Sequence, residues 1–217
     1  MTHLFKRMAA FAIVALLAAS CQKDNTTPAS DKSGVSLSKS AATEGVTLLS
    51  RTINTGDTAQ VRNLKSDSII PPNSPAPFYY SLSTESTVTA FSASRSLQFN
   101  GYFNADINGV NNFILAYIDN IAYGSINATN AISSSTAATG NKLGYNSVNA
   151  GWYNYFFNDN HKVLPVAGRT IIAYKKVGTV ISEIYKIKML SIYKDMPANP
   201  TGTEPIPYLS FDYQRLQ

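Results

Sequence analysis

The chain has 217 residues, 44% of them hydrophobic and only 14% charged, with 18 Lys and Arg against 13 Asp and Glu and a formal net charge of +5. No basic block is longer than Lys175-Lys176, so the basic stripe that marks nucleic-acid binding is absent. A single cysteine excludes a disulfide framework, and 13 Tyr with 10 Phe favour strands over helices.

Lys6 and Arg7 precede an apolar run, Met8 to Ala19, that is followed by Ser20 and Cys21. A bilayer span takes about 18 or more apolar residues, so this short run reads as a secretory signal. The small residues Ala18, Ala19 and Ser20 ahead of Cys21 resemble a bacterial lipoprotein signal, in which Cys21 is acylated and becomes the new N-terminus. Ala18 stands where such signals usually carry leucine. The other reading is an ordinary signal peptide followed by a free thiol. Gln22-Lys23-Asp24 resembles the surface-export tag of some outer-membrane lipoproteins, with Asn25 in place of its fourth, acidic residue. Residues 1–20 are therefore expected to be a signal peptide. Residues 21–44, rich in Ser, Thr, Lys and Ala, are expected to be a flexible tether, because they offer almost nothing apolar to offset the entropy of ordering. The acyl chains would do the anchoring, at about 0.8 kcal/mol per buried methylene.

Residues 45–217 read as one domain. Val46 to Ile53 is expected to be its first strand. Asp57-Thr58-Ala59 and Asp67-Ser68-Ile69 resemble acceptor triplets for O-glycans. The run from Ile70 to Pro77 holds four prolines, which cannot donate to a sheet ladder, so it is expected to be a loop or an edge. Phe78 to Leu82 reads as a strand. Leu97 to Ile107 and Val110 to Tyr123 flank Asn108-Gly109, a pair that supplies the two positive-φ residues of a type I′ hairpin turn. Asn104, Asp106, Asn108 and Gly109 also mimic the start of a calcium loop, but Leu115 occupies the position where that loop needs Glu. Phe113 to Ile118 is continuously apolar and suits a strand buried on both faces.

Residues 124–150, rich in Ser, Asn, Ala, Thr and Gly, are expected to form a long loop or finger whose only charge is Lys142. Arg169 to Lys176 and Thr179 to Tyr193 flank a turn at Val177-Gly178. On the second of these strands Ile181, Tyr185, Ile187, Met189 and Tyr193 are expected on one face, interrupted by Glu183. Lys186 and Lys188 fall on the opposite face, expected to be wet at mid-strand. Asp195 to Pro207 is a polar connection. In the last strand Leu209, Phe211 and Tyr213 alternate with Ser210, Asp212 and Gln214, the pattern of a half-buried antiparallel strand. Short strands and turn signals without amphipathic helices give an all-β, single antiparallel domain.

Two segments carry a resemblance. One is Phe78-Tyr79-Tyr80-Ser81-Leu82-Ser83-Thr84-Glu85-Ser86-Thr87-Val88. The other runs from Gly151-Trp152 through Tyr155, Pro165, Gly168 to Ile172, Ile184 to Ile187 and Ile192-Tyr193 to Phe211-Asp212-Tyr213. In order and spacing they are similar to the HmuY family of haem-binding lipoproteins. The resemblance implies an all-β fold, a lipid anchor on the cell-surface side of the outer membrane, and haem as cargo for a TonB-dependent receptor. Departures fall at the site. Arg95 to Asn100 holds neither residue of the family's usual Trp-Asp pair. Ungapped spacing from Trp152 places Phe157 where the best-known member has a ligand histidine, and residues 124–150 contain neither His nor Met.

Haem iron needs a donor such as His, Met, Cys thiolate or Tyr. His161, the only histidine after the signal, is the axial-ligand candidate, with a second ligand from tyrosine, water or the receptor, or else it is an exposed loop residue. Met189 and Met196 are weaker candidates, and Met189 also reads as core. Tyr153, Tyr155, Phe156 and Phe157 are placed to stack on a porphyrin or, equally, to fill a core. No nucleophile elbow, zinc-ligand spacing or phosphate-cradling loop occurs, so capture is expected and not catalysis. The alternative is a surface lipoprotein of the same fold that has lost haem ligation and binds another apolar ligand, a glycan or a protein partner.

Overall fold

The computed structural model describes residues 51–65, 75–88, 94–101, 103–146 and 150–217. The signal, Cys21 and the tether lie outside the described residues, as do Val46 to Ser50, the first prolines of the Pro-rich run and Asp67-Ser68-Ile69. What is described is all-β. The strands are β1 (Thr58–Lys65), β2 (Phe78–Ser81), β3 (Ser86–Val88), β4 (Leu97–Asn100), β5 (Asp106–Gly109), β6 (Phe113–Ile118), β7 (Thr136–Ala137), β8 (Lys142–Leu143), β9 (Tyr153–Phe156), β10 (Lys162–Pro165), β11 (Thr170–Val177), β12 (Val180–Ser191) and β13 (Tyr208–Arg215). Among the described residues they form a six-stranded sheet in the order β1-β13-β12-β11-β6-β7, a five-stranded sheet β3-β2-β4-β5-β8 and the separate hairpin β9-β10, with every ladder antiparallel.

The two larger sheets meet through aromatic rings. Tyr80 of β2 stands edge-on to Phe211 of β13 at 5.4 Å, and Phe99 of β4 stacks on Phe78 at 5.0 Å and on Phe211 at 6.0 Å. Leu82, Leu97, Ile107, Leu115, Ile171, Tyr185, Ile187, Leu209 and Tyr213 complete this core. Burying each such side chain contributes about 1.5–3 kcal/mol, which is how a chain with one cysteine holds a sandwich of this size. The expected alternation of Leu209, Phe211 and Tyr213 is observed, as are the β11–β12 hairpin and the strand beginning at Phe78.

Several expectations are corrected. Arg51, Thr52 and Ile53 are not strand; among the described residues the first strand is β1 (Thr58–Lys65), of which only Ala59 and Val61 are fully buried. Its register with β13 shifts between Val61 and Leu64, where Asn63 takes a φ of 52°. Asn108-Gly109 is not a turn but the end of β5. The two consecutive left-handed residues are Asn111 (φ 53°) and Asn112 (φ 67°), closed by a Phe113 N–H to Val110 carbonyl bond of 3.0 Å. This type I′-like turn does not join paired strands; it carries the chain from the five-stranded sheet to the six-stranded one.

Residues 124–150 are more than a loop. Part of the segment supplies β7 and β8, and Ile126 and Ala131 cover Ala116, Ile118, Ile172 and Ile184 on the outer face of the six-stranded sheet. That cover overturns the expectation of a wet face at Lys186, which is 3% exposed. Its ammonium donates to the carbonyls of Tyr123 (2.8 Å) and Ile126 (2.9 Å) and sits 4.5 Å from the centre of the Tyr123 ring. Desolvation pulls its pKa down. Lys188 is exposed as expected. Ile181 packs with this second cluster and not with Tyr185, because the β11–β12 register shifts between Lys175 and Lys176 and so turns it to the other face.

Arg169, just before β11, ties the end of β6 to the chain leading into β9. Its guanidinium donates to both Asp119 oxygens (2.8 and 2.7 Å), to Asn146 Oδ1 (3.3 Å) and to the Gly151 carbonyl (2.5 Å), and lies 4.3 Å from the Tyr117 ring centre. The hydrogen bonds from Arg169 hold the Asp119 carboxyl below its ordinary 3.8. A lowered carboxylate contributes stability above its unfolded pKa and loses it as pH falls through the folded value. Asp119→Asn should therefore flatten the loss of stability below about pH 4, read by urea unfolding across the acid range. Because Asp119 is exposed, solvent keeps the amplitude small.

Candidate functional site

Period-2 alternation puts Tyr153 and Tyr155 on one face of β9, with Asn154 and Phe156 on the other. The hairpin is anchored at its base by Trp152, which is 2% exposed and donates its indole N–H to the Ala105 carbonyl, and on its flank by Tyr193, whose hydroxyl accepts the Val163 N–H at 2.8 Å. Gly151 sits hard against the Gly144 carbonyl, where a Cβ would not fit. That approach brings Tyr145 into a parallel bridge with Tyr153.

The result is a continuous aromatic strip. Trp152 meets Tyr153 at 5.0 Å; Tyr153 stacks on Tyr145 at 6.1 Å; Tyr145 stands edge-on to Tyr155 at 6.0 Å. Tyr155 meets His161 at 5.8 Å, and Phe157 stands perpendicular to the imidazole at 5.0 Å. The strip runs from the buried indole to open surface, where Tyr145 is 46% exposed and Phe157 70%. Trp152 and Tyr153 are buried and Tyr155 is half-buried; Tyr145, Phe157 and His161 are open to solvent.

His161 sits in the turn that joins β9 to β10. The Lys162 N–H bonds to the Asp159 carbonyl at 2.9 Å across Asn160 (φ 48°) and His161 (φ 57°). Left-handed backbone is enriched in both asparagine and histidine, so the two residues suit a tight turn of this kind. Gly202, at φ 91°, presses on the Asn160 carbonyl with no room for a Cβ, so the 195–207 connection buttresses the turn. The Tyr155 hydroxyl and His161 Nδ1 are 2.7 Å apart, and Nε2 has no hydrogen-bond partner among the described residues. Asp159 is paired with Lys162, which also lies 5.7 Å from the Phe156 ring centre on the far side of the hairpin.

Deeper in the strip, burial foremost and then the Asp106 carboxylate push the Tyr153 phenol far above its ordinary value, so it stays a neutral donor to Asp106 (3.1 Å). Asp106 is also paired with Lys142 at 2.6 Å, and Asn104 Nδ2 donates to the Ala76 carbonyl at 3.0 Å. Among the described residues no three His, Cys, Asp or Glu side chains are grouped to hold a metal ion.

The structure thus brings Tyr153, Tyr155, Phe157 and His161 together and leaves Phe156 on the opposite side. Met189 is not with them: it is 6% exposed in the core between the sheets, paired with Phe211. Met196 lies in the turn after β12 at a φ of 47°, its N–H bonded to the Tyr193 carbonyl. Tyr145 was missed by sequence reasoning. Its only signal is a lone aromatic inside a Ser- and Asn-rich stretch. Comparison of the chain with family models, with curated proteins and with solved structures finds no match in any of the three.

Proposed function

We propose that this protein is a haem- or tetrapyrrole-binding surface lipoprotein of the HmuY type, anchored through Cys21 and passing its cargo to a TonB-dependent outer-membrane receptor. The observation that carries the reading is the Tyr155–His161 pair at the exposed end of the aromatic strip. A macrocycle offers one flat apolar face and one metal, and the strip offers stacking rings with two haem-type donors 2.7 Å apart. The residues fit a single axial donor plus a stacking surface. They do not reproduce a two-histidine site, because the chain's other histidine is His3, in the signal segment. Capture, with no bond made in the ligand's organic frame, is all this arrangement needs to perform.

Haemin titration of the purified protein tests the reading. The expected result is a saturable Soret shift with a dissociation constant of about 1 µM or tighter. The double variant Tyr155→Phe/His161→Gly should abolish it. This variant is expected to fold: phenylalanine keeps the ring against Tyr145, and glycine accepts the positive φ without the steric cost of about 1–2 kcal/mol that a side chain meets there. A native protein that leaves the haemin spectrum unchanged overturns haem capture and leaves the strip as a platform for another apolar ligand. A double variant that binds as well as the native chain moves the site elsewhere.

A further inference from the structure

We propose that the tip of the β11–β12 hairpin, residues 177–180, is the surface on which the protein rests against lipid, so that the aromatic strip faces away from the membrane. The inference rests on the anchoring part of the reading above and not on haem.

The strand directions decide which groups share an end of the six-stranded sheet. β11 begins at Thr170, next to Arg169, whose guanidinium reaches the Gly151 carbonyl beside the strip. It ends at Val177, and eight extended residues carry the chain about 25 Å. β13 is antiparallel to β12 and brings Arg215 to the tip end, where its carbonyl accepts the Gly56 N–H at 2.8 Å. Thr58 pairs with Gln214 at the same end, and Arg51, the first described residue, donates from its guanidinium to the Thr58 carbonyl at 2.9 Å. The described chain therefore starts at the end of the sheet opposite the strip. Cys21 lies thirty residues earlier, and a chain of that length reaches at most about 100 Å. A lipid on Cys21 keeps the domain near the bilayer and raises its effective concentration there, so a weak second contact is enough to orient it.

The tip has the make-up of such a contact. Val177 and Val180 face each other across the ladder and are 61% and 65% exposed. Among the described residues the other exposed large apolar side chains are Tyr145, Phe156 and Phe157, all at the β9–β10 end. Gly178, at a φ of 62°, and Thr179 make the turn, which has no need of the valines. Every residue from Lys176 to Val180 is exposed, so the tip stands clear of the sandwich. No carboxylate lies between Lys175 and Ser182. The next in sequence, Glu183, is paired with Lys175 and accepts the Tyr185 hydroxyl. Lys176 lies 5.8 Å from the Tyr174 ring centre and has no carboxylate partner among the described residues. Apolar side chains at the acyl boundary and a free cation at the level of anionic headgroups are the two attractions that hold a segment in a membrane interface.

The test uses the full lipidated chain in vesicles of phosphatidylethanolamine and phosphatidylglycerol. A nitroxide is placed on Thr179→Cys or, for comparison, on Asn158→Cys in the turn between β9 and β10. Cys21 is the chain's only cysteine and would carry the lipid, so the introduced thiol is the one that labels. Power saturation should find the Thr179 label relaxed by oxygen and shielded from an aqueous nickel chelate, and the Asn158 label the reverse. Adding Val177→Asp and Val180→Asp should abolish the shielding at 179 and leave the label at 158 unchanged. Both substitutions are at exposed positions, and circular dichroism checks that the fold is kept. A Thr179 label as open to nickel as the Asn158 label overturns the proposal. Equal shielding of both labels also overturns it, since the domain then lies on its side. Dipolar broadening at Thr179 means that a second copy covers the tip and overturns the lipid contact. A chain whose mass shows no acyl group on Cys21 removes the anchoring reading and this inference with it. The haemin titration is independent of all of these outcomes.

Discussion

Trp152→Ala should cost about 3–5 kcal/mol of folding free energy, the largest effect expected of any single truncation in the hairpin region. The indole is 2% exposed and fills the space between the β9–β10 hairpin and the end of the five-stranded sheet. Truncation leaves a cavity there and strips the Ala105 carbonyl of its partner, the indole N–H at 2.5 Å. A carbonyl orphaned in a buried setting adds about 1–3 kcal/mol to the cavity term. In a domain of this size the melting temperature should fall by roughly 6–20 °C. Trp152→Phe refills much of the volume but not the hydrogen bond, so it should lose an intermediate amount. Urea unfolding of the three proteins measures both terms. A loss under about 1 kcal/mol for the alanine variant would mean that the hairpin docks without its indole. The haemin binding proposed above should weaken in parallel, because Tyr153 and Tyr145 are stacked outward from that ring.

Some of this molecule is legible in its sequence and some is not. Leu209, Phe211 and Tyr213 announce a strand by strict period 2, and Phe78 to Leu82 and Arg169 to Lys176 announce theirs by apolar and β-branched content. Those signals are local, and the structure keeps them. β1 is different: in Thr58 to Lys65 only Ala59 and Val61 point inward with full burial, and a register shift breaks the period after them. The more β-branched run at Val46 draws attention away from it. Asn108-Gly109 misleads for a tertiary reason. Gly109 lacks a Cβ because Phe113 and the side chain of Asn141 close on it, not because a turn needs it there. The neighbouring Asn111-Asn112 pair does the turning. Lys186 misleads in the same way, since its burial depends on a covering segment sixty residues away in the chain.

The site was half legible. Tyr153, Tyr155, Phe156 and Phe157 were visible as a group of rings without a sign that Phe156 faces the other way, and His161 stood out as the only histidine after the signal. Their arrangement could not be read. The Tyr155–His161 contact depends on a left-handed turn at Asn160-His161 that no local pattern announces, and the stacking of Tyr145 depends on the close approach of the chain at Gly144 and Gly151. Composition gave the rings; only the close approach of the two chains makes them a strip.

Asn141→Ala should be the second most damaging change, at about 2–4 kcal/mol, although the residue lies in a polar stretch with no hydrophobic pattern. Its side chain joins the two sheets at the point where the chain crosses between them. Oδ1 accepts the Leu115 N–H of β6 at 2.7 Å, and Nδ2 donates to the carbonyls of Gly109 in β5 at 3.0 Å and of Phe113 at 2.9 Å. Three backbone groups lose their partner in the alanine variant, in a place only partly open to water. Asn141 also sits at a φ of 56°, a conformation asparagine tolerates and alanine does not. Asn141→Gly separates the two causes: it loses the same three hydrogen bonds but accepts the backbone. The glycine variant should therefore be the more stable of the two by about 1 kcal/mol. In both, amide exchange at Leu115 should accelerate well beyond that of Ile171 and Ile172 on the neighbouring strand, because the junction opens before the sheet does. Uniform acceleration across β6 and β11 would instead mean that Asn141 stabilises the whole sheet and is not the hinge between the two layers.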